Sequence, residues 1–404
     1  MNNLLPVFLS FLIAGTKLIR VPVFLYFLSV EEYSNFIYYL FIFGLFVAFE
    51  QMISSIVINA FSNEKNLKKL PRALNKELNF TLFLFQFLST ILLLTNNNFI
   101  QGYSINTIFL FICFLNLSLW AYCKIIYYIS ALEVNGHIIQ NRFFKLANEL
   151  IFLCLSIILL SVNSDITSAI MSFTVASLLI YFIARKSLSF FKITIIDAHE
   201  IIDADKYIKN YWSQLSIQGT TVLARSIPML VLAYIGNAEQ IAFYFIAAQL
   251  YQIGPLILFP ILTAQYPNLR VRGSSYDKAF IKVSILTILI ITLCYLGLFF
   301  NMPWIIDIWT DGKLIIDFKL LLFLNIISIV AVIHIAFKYF STAKNMSNLL
   351  IKCYGYSAFI ALLIAFYIYI YLSFLDAVFI FSIAFEIIAI IYIFITLKNK
   401  YSKI

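Results

Sequence analysis

The sequence predicts an all-α polytopic membrane protein of about twelve transmembrane helices in two six-helix lobes. Three observations carry that expectation. Hydrophobic residues make up 63% of the 404, charged residues only 12%, and the mean hydropathy is +0.95. A soluble domain covers itself with roughly a quarter charged residues, so a chain with half that share turns most of its surface to lipid. The apolar residues form continuous runs of the length that crosses roughly 30 Å of hydrocarbon as helix, without the alternation of a barrel strand. Lys and Arg, finally, gather in every second connection between those runs.

Reading the runs in order places spans at 4–28, 35–60, 79–96, 105–129, 143–162, 167–184, 212–235, 240–264, 280–300, 318–340, 353–372 and 377–397. The first has no basic region before it and no small-residue cleavage site after it, so it is expected to remain as a span. The fifth and sixth are separated only by Asn163 to Asp165. Lys65, Lys68, Lys69, Arg72 and Lys76 fall in the second connection, Lys124, Arg142 and Lys145 in or beside the fourth, and Arg185, Lys186, Lys192, Lys206 and Lys209 in the sixth. Arg270, Arg272, Lys278, Lys282, Lys338, Lys344, Lys352, Lys398, Lys400 and Lys403 continue the pattern, whereas the odd-numbered connections hold only Lys313 and Lys319. Positive residues stay cytoplasmic, so both termini are expected inside.

The charged stretch 185–211 is the longest link and divides the spans six and six: an N-lobe over 1–184, a cytoplasmic linker over 185–211 and a C-lobe over 212–404. Transporters are commonly built from such repeats. Span one reads Gly15-Thr16, Arg20, Pro22, then Ser29 and Glu32; span seven reads Gly219-Thr220, Arg225, Pro228, then Gly236 and Glu239. Both begin in the cytoplasm, so the repeat is a parallel one.

Function is sought in the charges that the spans bury. Lys17 and Arg225 sit about 15–20 Å from either end of their helices, and Arg20 about 12 Å from the outer end. A cation at mid-bilayer costs at least about 2.5–3.5 kcal/mol unless it meets water or an anion. Gln214, Gln218, Thr221 and Arg225 recur on one face of span seven; Ser10 and Lys17 share a face of span one, flanked by Arg20. Pro22 and Pro228 release backbone carbonyls nearby. One reading makes Lys17, Arg20, Arg225, Gln214, Gln218 and Thr221 the lining of a hydrated cavity between the lobes, binding phosphate or carboxylate. The other pairs the cations with Glu50, Glu149 or Glu386 as structural ion pairs. Glu50 and Glu386 are accordingly ion-coupling residues or charge partners. His334 is read as a satisfied polar residue near the inner leaflet rather than a proton relay, and the Tyr and Phe abundance as lipid-facing or interfacial.

Several classes are disfavoured. The net charge of +9 is scattered over short loops and suits anionic lipid headgroups, not nucleic acid. The five cysteines, Cys113, Cys123, Cys154, Cys294 and Cys353, lie in apolar runs and read as buried free thiols without metal spacing. His137, His199 and His334 are far apart, Trp304, Asp307, Trp309 and Asp311 of the outer connection form no catalytic set, and the common catalytic motifs are absent. No cofactor, metal or enzymatic activity is expected.

Two stretches carry a family resemblance: Leu28-Ser29-Val30-Glu31-Glu32-Tyr33-Ser34-Asn35-Phe36, and Tyr234-Ile235-Gly236-Asn237-Ala238-Glu239-Gln240-Ile241-Ala242-Phe243-Tyr244, supported by Ala247-Ala248-Gln249-Leu250, Pro260 and Tyr266-Pro267. With them the chain resembles the polysaccharide-export branch of the multidrug/oligosaccharidyl-lipid/polysaccharide (MOP) superfamily, and within it the Wzx-type flippases of O-antigen and other lipid-linked repeat units. The resemblance implies a MATE-like fold in the bacterial inner membrane. It implies an undecaprenyl-pyrophosphate-linked oligosaccharide as substrate and alternating access as the mode of transport. A proton or sodium gradient could drive it, and a polysaccharide polymerase and chain-length regulator would be its partners in lipopolysaccharide biosynthesis. The rivals are a MATE-like drug or cation exporter, which would want carboxylates facing its cargo, and a membrane polysaccharide polymerase, which would want a large outer loop.

Overall fold

The computed structural model describes residues 4–47, 69–96, 99, 102–134, 138–190, 194–196, 204–255, 258, 262, 274–344 and 346–401. Twelve helices lie among them. The first six are α1 (Leu4–Phe27), α2 (Val30–Val47), α3 (Arg72–Thr95), α4 (Ile105–Val134), α5 (Ile138–Val162) and α6 (Ile166–Phe190). The second six are α7 (Ala204–Ile235), α8 (Ala238–Tyr251), α9 (Ser274–Thr310), α10 (Phe318–Ala343), α11 (Ser347–Tyr369) and α12 (Phe374–Tyr401). A short parallel pair, β1 (Lys69–Pro71) with β2 (Thr194–Ile196), joins the connections that follow α2 and α6.

Nine of the described helices are long and apolar enough to cross a membrane; the apolar part of α3 is the shorter Asn79–Thr95. Several helices outrun the spans expected from hydropathy. α3 starts at Arg72, α7 at Ala204, and α9 runs from Ser274 to Thr310 through Pro303. Hydropathy marks the stretch that needs lipid, whereas Lys, Glu, Asn and Ala at its ends are compatible with helix and continue it into water.

The chain divides into two compact units, Met1–Gln218 and Gly219–Ile404, the division falling within α7. Within the first unit α2 packs on α3 and α4, α3 on α4, α4 on α5 and α6, and α5 on α6. Within the second, α8 packs on α9 and α10, α9 on α10, α10 on α11 and α12, and α11 on α12. Six neighbour pairs of the first unit thus recur in the second with each helix number raised by six, whereas the packing of α1 on α2 and α5 and of α2 on α6 has no counterpart of like extent. The parallel repeat read from two short motifs therefore extends to part of the neighbour pattern of the helices.

The even-numbered helices all begin on a polar cap, which fits tight turns that must satisfy free backbone N–H groups. Ser29 Oγ accepts from the Glu32 N–H at 3.2 Å while the Glu32 carboxylate accepts from the Ser29 N–H at 3.1 Å, a capping box opening α2. Asn237 and Gln240 form the matching box at α8. The true register of the repeat thus sets Ser29 against Asn237 and Glu32 against Gln240, one residue beyond the sequence alignment. Ser104, Asp165, Asp317 and Ser373 cap α4, α6, α10 and α12. Before Asn237, Gly236 is required by close approach: a Cβ there would stand 2.5 Å from the Leu232 carbonyl oxygen.

Aromatic residues are not confined to the lipid face. Tyr38, Tyr39, Tyr127, Tyr295, Tyr354, Phe36, Phe111 and Phe152 are among the largest fully buried side chains. Tyr38 donates to the Leu92 carbonyl at 2.8 Å, which satisfies its hydroxyl inside the bundle. The lipid face is instead aliphatic on α9, where Ile281, Ile285, Leu289, Leu293, Leu296 and Phe300 are exposed at helical spacing. The cysteines are free, but only Cys123 and Cys353 are buried; Cys113, Cys154 and Cys294 are exposed. In an apolar setting a thiol behaves as a small hydrophobe on either side of the wall.

Candidate functional site: two buried ion-pair clusters

The sequence places Lys17 and Arg20 three residues apart, so both project from one side of α1. α5 packs against α1 and brings Glu149 to them. Lys17 Nζ lies 3.6 Å from Glu149 Oε1, and Arg20 Nη1 3.0 Å from Glu149 Oε2. Arg20 does not turn outward along its stem. Its guanidinium lies 4.8 Å from the centroid of the Phe152 ring, one turn beyond Glu149, which adds a cation–π contact to the ion pair. Phe152 is itself fixed by Phe24 and Phe173. The lysine is the accessible member: 41% of its side chain is exposed, against 11% for Arg20.

The second unit builds its cluster from four helices. Arg225 of α7 grips Glu386 of α12 with two nitrogens, Nε to Oε1 at 2.5 Å and Nη2 to Oε2 at 3.3 Å. His334 of α10 meets the same carboxylate through Nδ1, and its Nε2 is 3.0 Å from the Tyr354 hydroxyl of α11. Lys338, one turn past His334, donates to Thr221 Oγ1 at 3.3 Å. Ser382 donates to the Ala224 carbonyl at 2.7 Å and holds α12 to α7 one turn from the ion pair. Glu386 and His334 have no exposed side-chain surface, whereas Arg225 keeps 30% of its own. A carboxylate with three nitrogen contacts in such burial is held strongly; an isolated one would be forced to neutralise.

These placements decide between the two sequence readings on one point. Lys17, Arg20 and Arg225 are ion-paired, with Glu149 and Glu386 as partners, so the expectation of unpaired cations gives way to pairing. Membrane physics accounts for the outcome, since a buried cation is cheapest beside an acid. The pairing is incomplete in charge. The first cluster holds two cations to one acid, Lys17 and Arg20 with Glu149, whereas in the second Arg225 and His334 meet Glu386 and Lys338 donates to Thr221. Thr221 is buried and bound to Lys338. Gln214 and Gln218 lie on α7, but their side chains fall outside the described residues, as does Glu50 altogether.

Sequence reasoning passed over three members. His334 looked like an ordinary polar residue, Lys338 like a cytoplasmic flank, and Tyr354 like one of many aromatics. The available signal was the i, i+4 spacing of His334 and Lys338 on one face of an otherwise apolar helix. Among the described residues no group of three or more His, Cys, Asp or Glu is arranged to hold a metal ion.

No family model and no curated protein matches the sequence. Solved structures do match the fold. A mutant form of the Vibrio cholerae MATE transporter VcmN superposes with a TM-score of 0.67 at 12% identity, covering 100% of this chain and 96% of that one. The lipid II flippase MurJ in an inward closed conformation gives 0.65 at 18% identity, covering 98% and 87%. An outward-facing multidrug resistance MATE family transporter of the MOP superfamily gives 0.62 at 13%, covering 98% and 94%. The chain is a polytopic helical protein with the fold shared by MATE transporters and the lipid II flippase MurJ.

Proposed function

We propose that the chain is a flippase. Its cargo is an undecaprenyl-pyrophosphate-linked oligosaccharide repeat unit, of O-antigen or a similar surface polysaccharide, carried from the cytoplasmic to the outer face by alternating access. The observation that carries the reading is the cationic excess of the first cluster, Lys17 and Arg20 on the single acid Glu149, together with the exposed surface that Arg225 keeps in the second. A diphosphate headgroup needs positive charge along its path, and arginine supplies a planar fork for its oxygens. Lys17 and Arg225 keep exposed surface and are the residues assigned to touch it, with Arg20, Thr221, Gln214 and Gln218 assigned as further contacts. Likeness to the fold of a lipid II flippase supports a lipid-linked cargo. The reading places the protein in the bacterial inner membrane with both termini cytoplasmic, lobes over 1–184 and 212–404, and a proton or sodium gradient as the drive. It also places it beside a polysaccharide polymerase and chain-length regulator.

An exporter of cationic drugs is less well supported. It needs a carboxylate open to its cargo, and among the described residues the two candidate acids, Glu149 and Glu386, are each held by an arginine. The test is deletion of the gene in its native host. Single lipid-linked repeat units are expected to accumulate on the cytoplasmic leaflet. Accumulation on the outer leaflet would transfer the assignment to a polymerase, and an unchanged surface glycan would leave the flippase reading without support.

A further inference from the structure

We propose that Glu149 is a positioning residue: it holds Lys17 in reserve and yields it to an anionic headgroup while Arg20 stays behind as its counter-ion. The proposal rests on the reading of the cargo as an anion-bearing lipid and deepens it by giving the three charges of the first cluster separate roles.

The three charges are held unequally. Arg20 Nη1 lies 3.0 Å from Glu149 Oε2, whereas Lys17 Nζ lies 3.6 Å from Oε1. Arg20 is gripped from a second side as well. Its guanidinium stands 4.8 Å from the centroid of the Phe152 ring, and Phe152 is 1% exposed and packed against Phe24, Phe36 and Phe173. Turning away would cost Arg20 both its acid and its ring. Lys17 keeps 41% of its side chain exposed, against 11% for Arg20 and 15% for Glu149. Its ammonium rides on a flexible four-carbon stem and can swing without moving α1.

Charge balance decides which partner can leave. Where one cation faces one acid, its departure strands a largely buried carboxylate, which a low-dielectric interior does not tolerate. Glu149 has two. When Lys17 turns to a diphosphate, Arg20 still neutralises the acid; when the diphosphate leaves, Lys17 returns to Oε1. One anion replaces another at the same ammonium, and no covalent bond changes. Glu149 therefore competes with the cargo for Lys17. Binding is weaker than an unencumbered lysine would give, and dissociation is faster, so the site unloads as readily as it loads.

The test is binding of farnesyl diphosphate to the full chain in lipid nanodiscs, with folding checked by thermal unfolding. Glu149→Gln removes the competing anion and should lower the Kd severalfold and slow dissociation of the probe. Loss of a merely structural ion pair would weaken binding or leave it unchanged. Arg20→Gln leaves Lys17 as the sole counter-ion of Glu149 and should weaken binding. Adding Glu149→Gln to Arg20→Gln frees Lys17 again and should tighten it. Lys17→Gln should weaken binding, and there Glu149→Gln should recover little. The double variant of Arg20 and Glu149 keeps the net charge of the wild-type cluster, so its comparison with Arg20→Gln decides the matter if Glu149→Gln alone does not fold. Equal or weaker binding on adding Glu149→Gln, to the wild type or to Arg20→Gln, overturns the proposal. A gain of the same size in Lys17→Gln overturns it too, because the lysine would not be its source. A wild type that does not bind the probe refutes the anionic-cargo reading, and the proposal with it.

Discussion

Arg225 and Glu386 lie 161 residues apart in sequence and within one ion pair in space. Removing one partner of such a pair leaves a buried charge and costs about 3–5 kcal/mol, whereas removing both together is close to neutral. Arg225→Gln should therefore lower the thermal unfolding temperature in detergent sharply, and Arg225→Gln with Glu386→Gln should restore most of it. Surface glycan should stay absent in both. A double variant that recovers glycan along with stability would reduce the arginine to a structural role. The depth of Lys17, Arg20 and Arg225 was legible because distance along a helix is fixed by its rise. Their partners were not, because a single sequence holds no record of which helix faces which; Glu149 and Glu386 were only two of three candidates. Lys338 was misjudged for a related reason. It sits near the cytoplasmic end of its run, where a lysine usually extends into water, yet its amine turns inward to Thr221.

The helices themselves were legible wherever apolar runs ended on turn chemistry. Ser29, Asp165, Asn237, Asp317 and Ser373 precede their helices by the single position that a cap requires. Ends lacking such a signal were set too short, as at Arg72 and Ser274, because water-soluble helical turns carry no hydropathy mark. The two capping boxes offer a test at this scale. Ser29→Ala and Asn237→Ala should each destabilise by about 1 kcal/mol. Lying in different units, they should add within about 0.5 kcal/mol in the double variant, read by thermal unfolding in detergent. A strongly non-additive result would show that α2 and α8 do not unfold independently.

For the molecule as a whole, the count of helices and the parallel repeat came from patterns that survive without contacts: run length, basic connections, and the Gly-Thr, Arg, Pro order of α1 and α7. The neighbour pattern offset by six helices was beyond sequence, since packing depends on which faces fit rather than on order. Orientation is open to a direct measurement. In a background lacking the native cysteines, Lys313→Cys should react with a membrane-impermeant maleimide in intact spheroplasts, and Lys398→Cys only after permeabilisation. The reverse labelling would invert the topology and put the termini outside.

That orientation gives the capped helix starts a further meaning. Glu31, Glu32, Asp165, Glu239, Asp317 and Asp376 all sit at or beside the N-termini of even-numbered helices. In the first unit three of them crowd around Tyr103, whose phenol is pushed above its ordinary range chiefly by burial and then by those carboxylates. With the termini inside, acids line the departure side and lysines and arginines the arrival side. On the proposed cargo, the basic rim would attract a phosphorylated headgroup and the acidic rim repel it, so these fixed charges favour capture from the cytoplasm and speed departure from the outer rim but supply no drive across. Moderate salt should weaken both effects, since interactions between exposed charges are screened beyond about 8–10 Å.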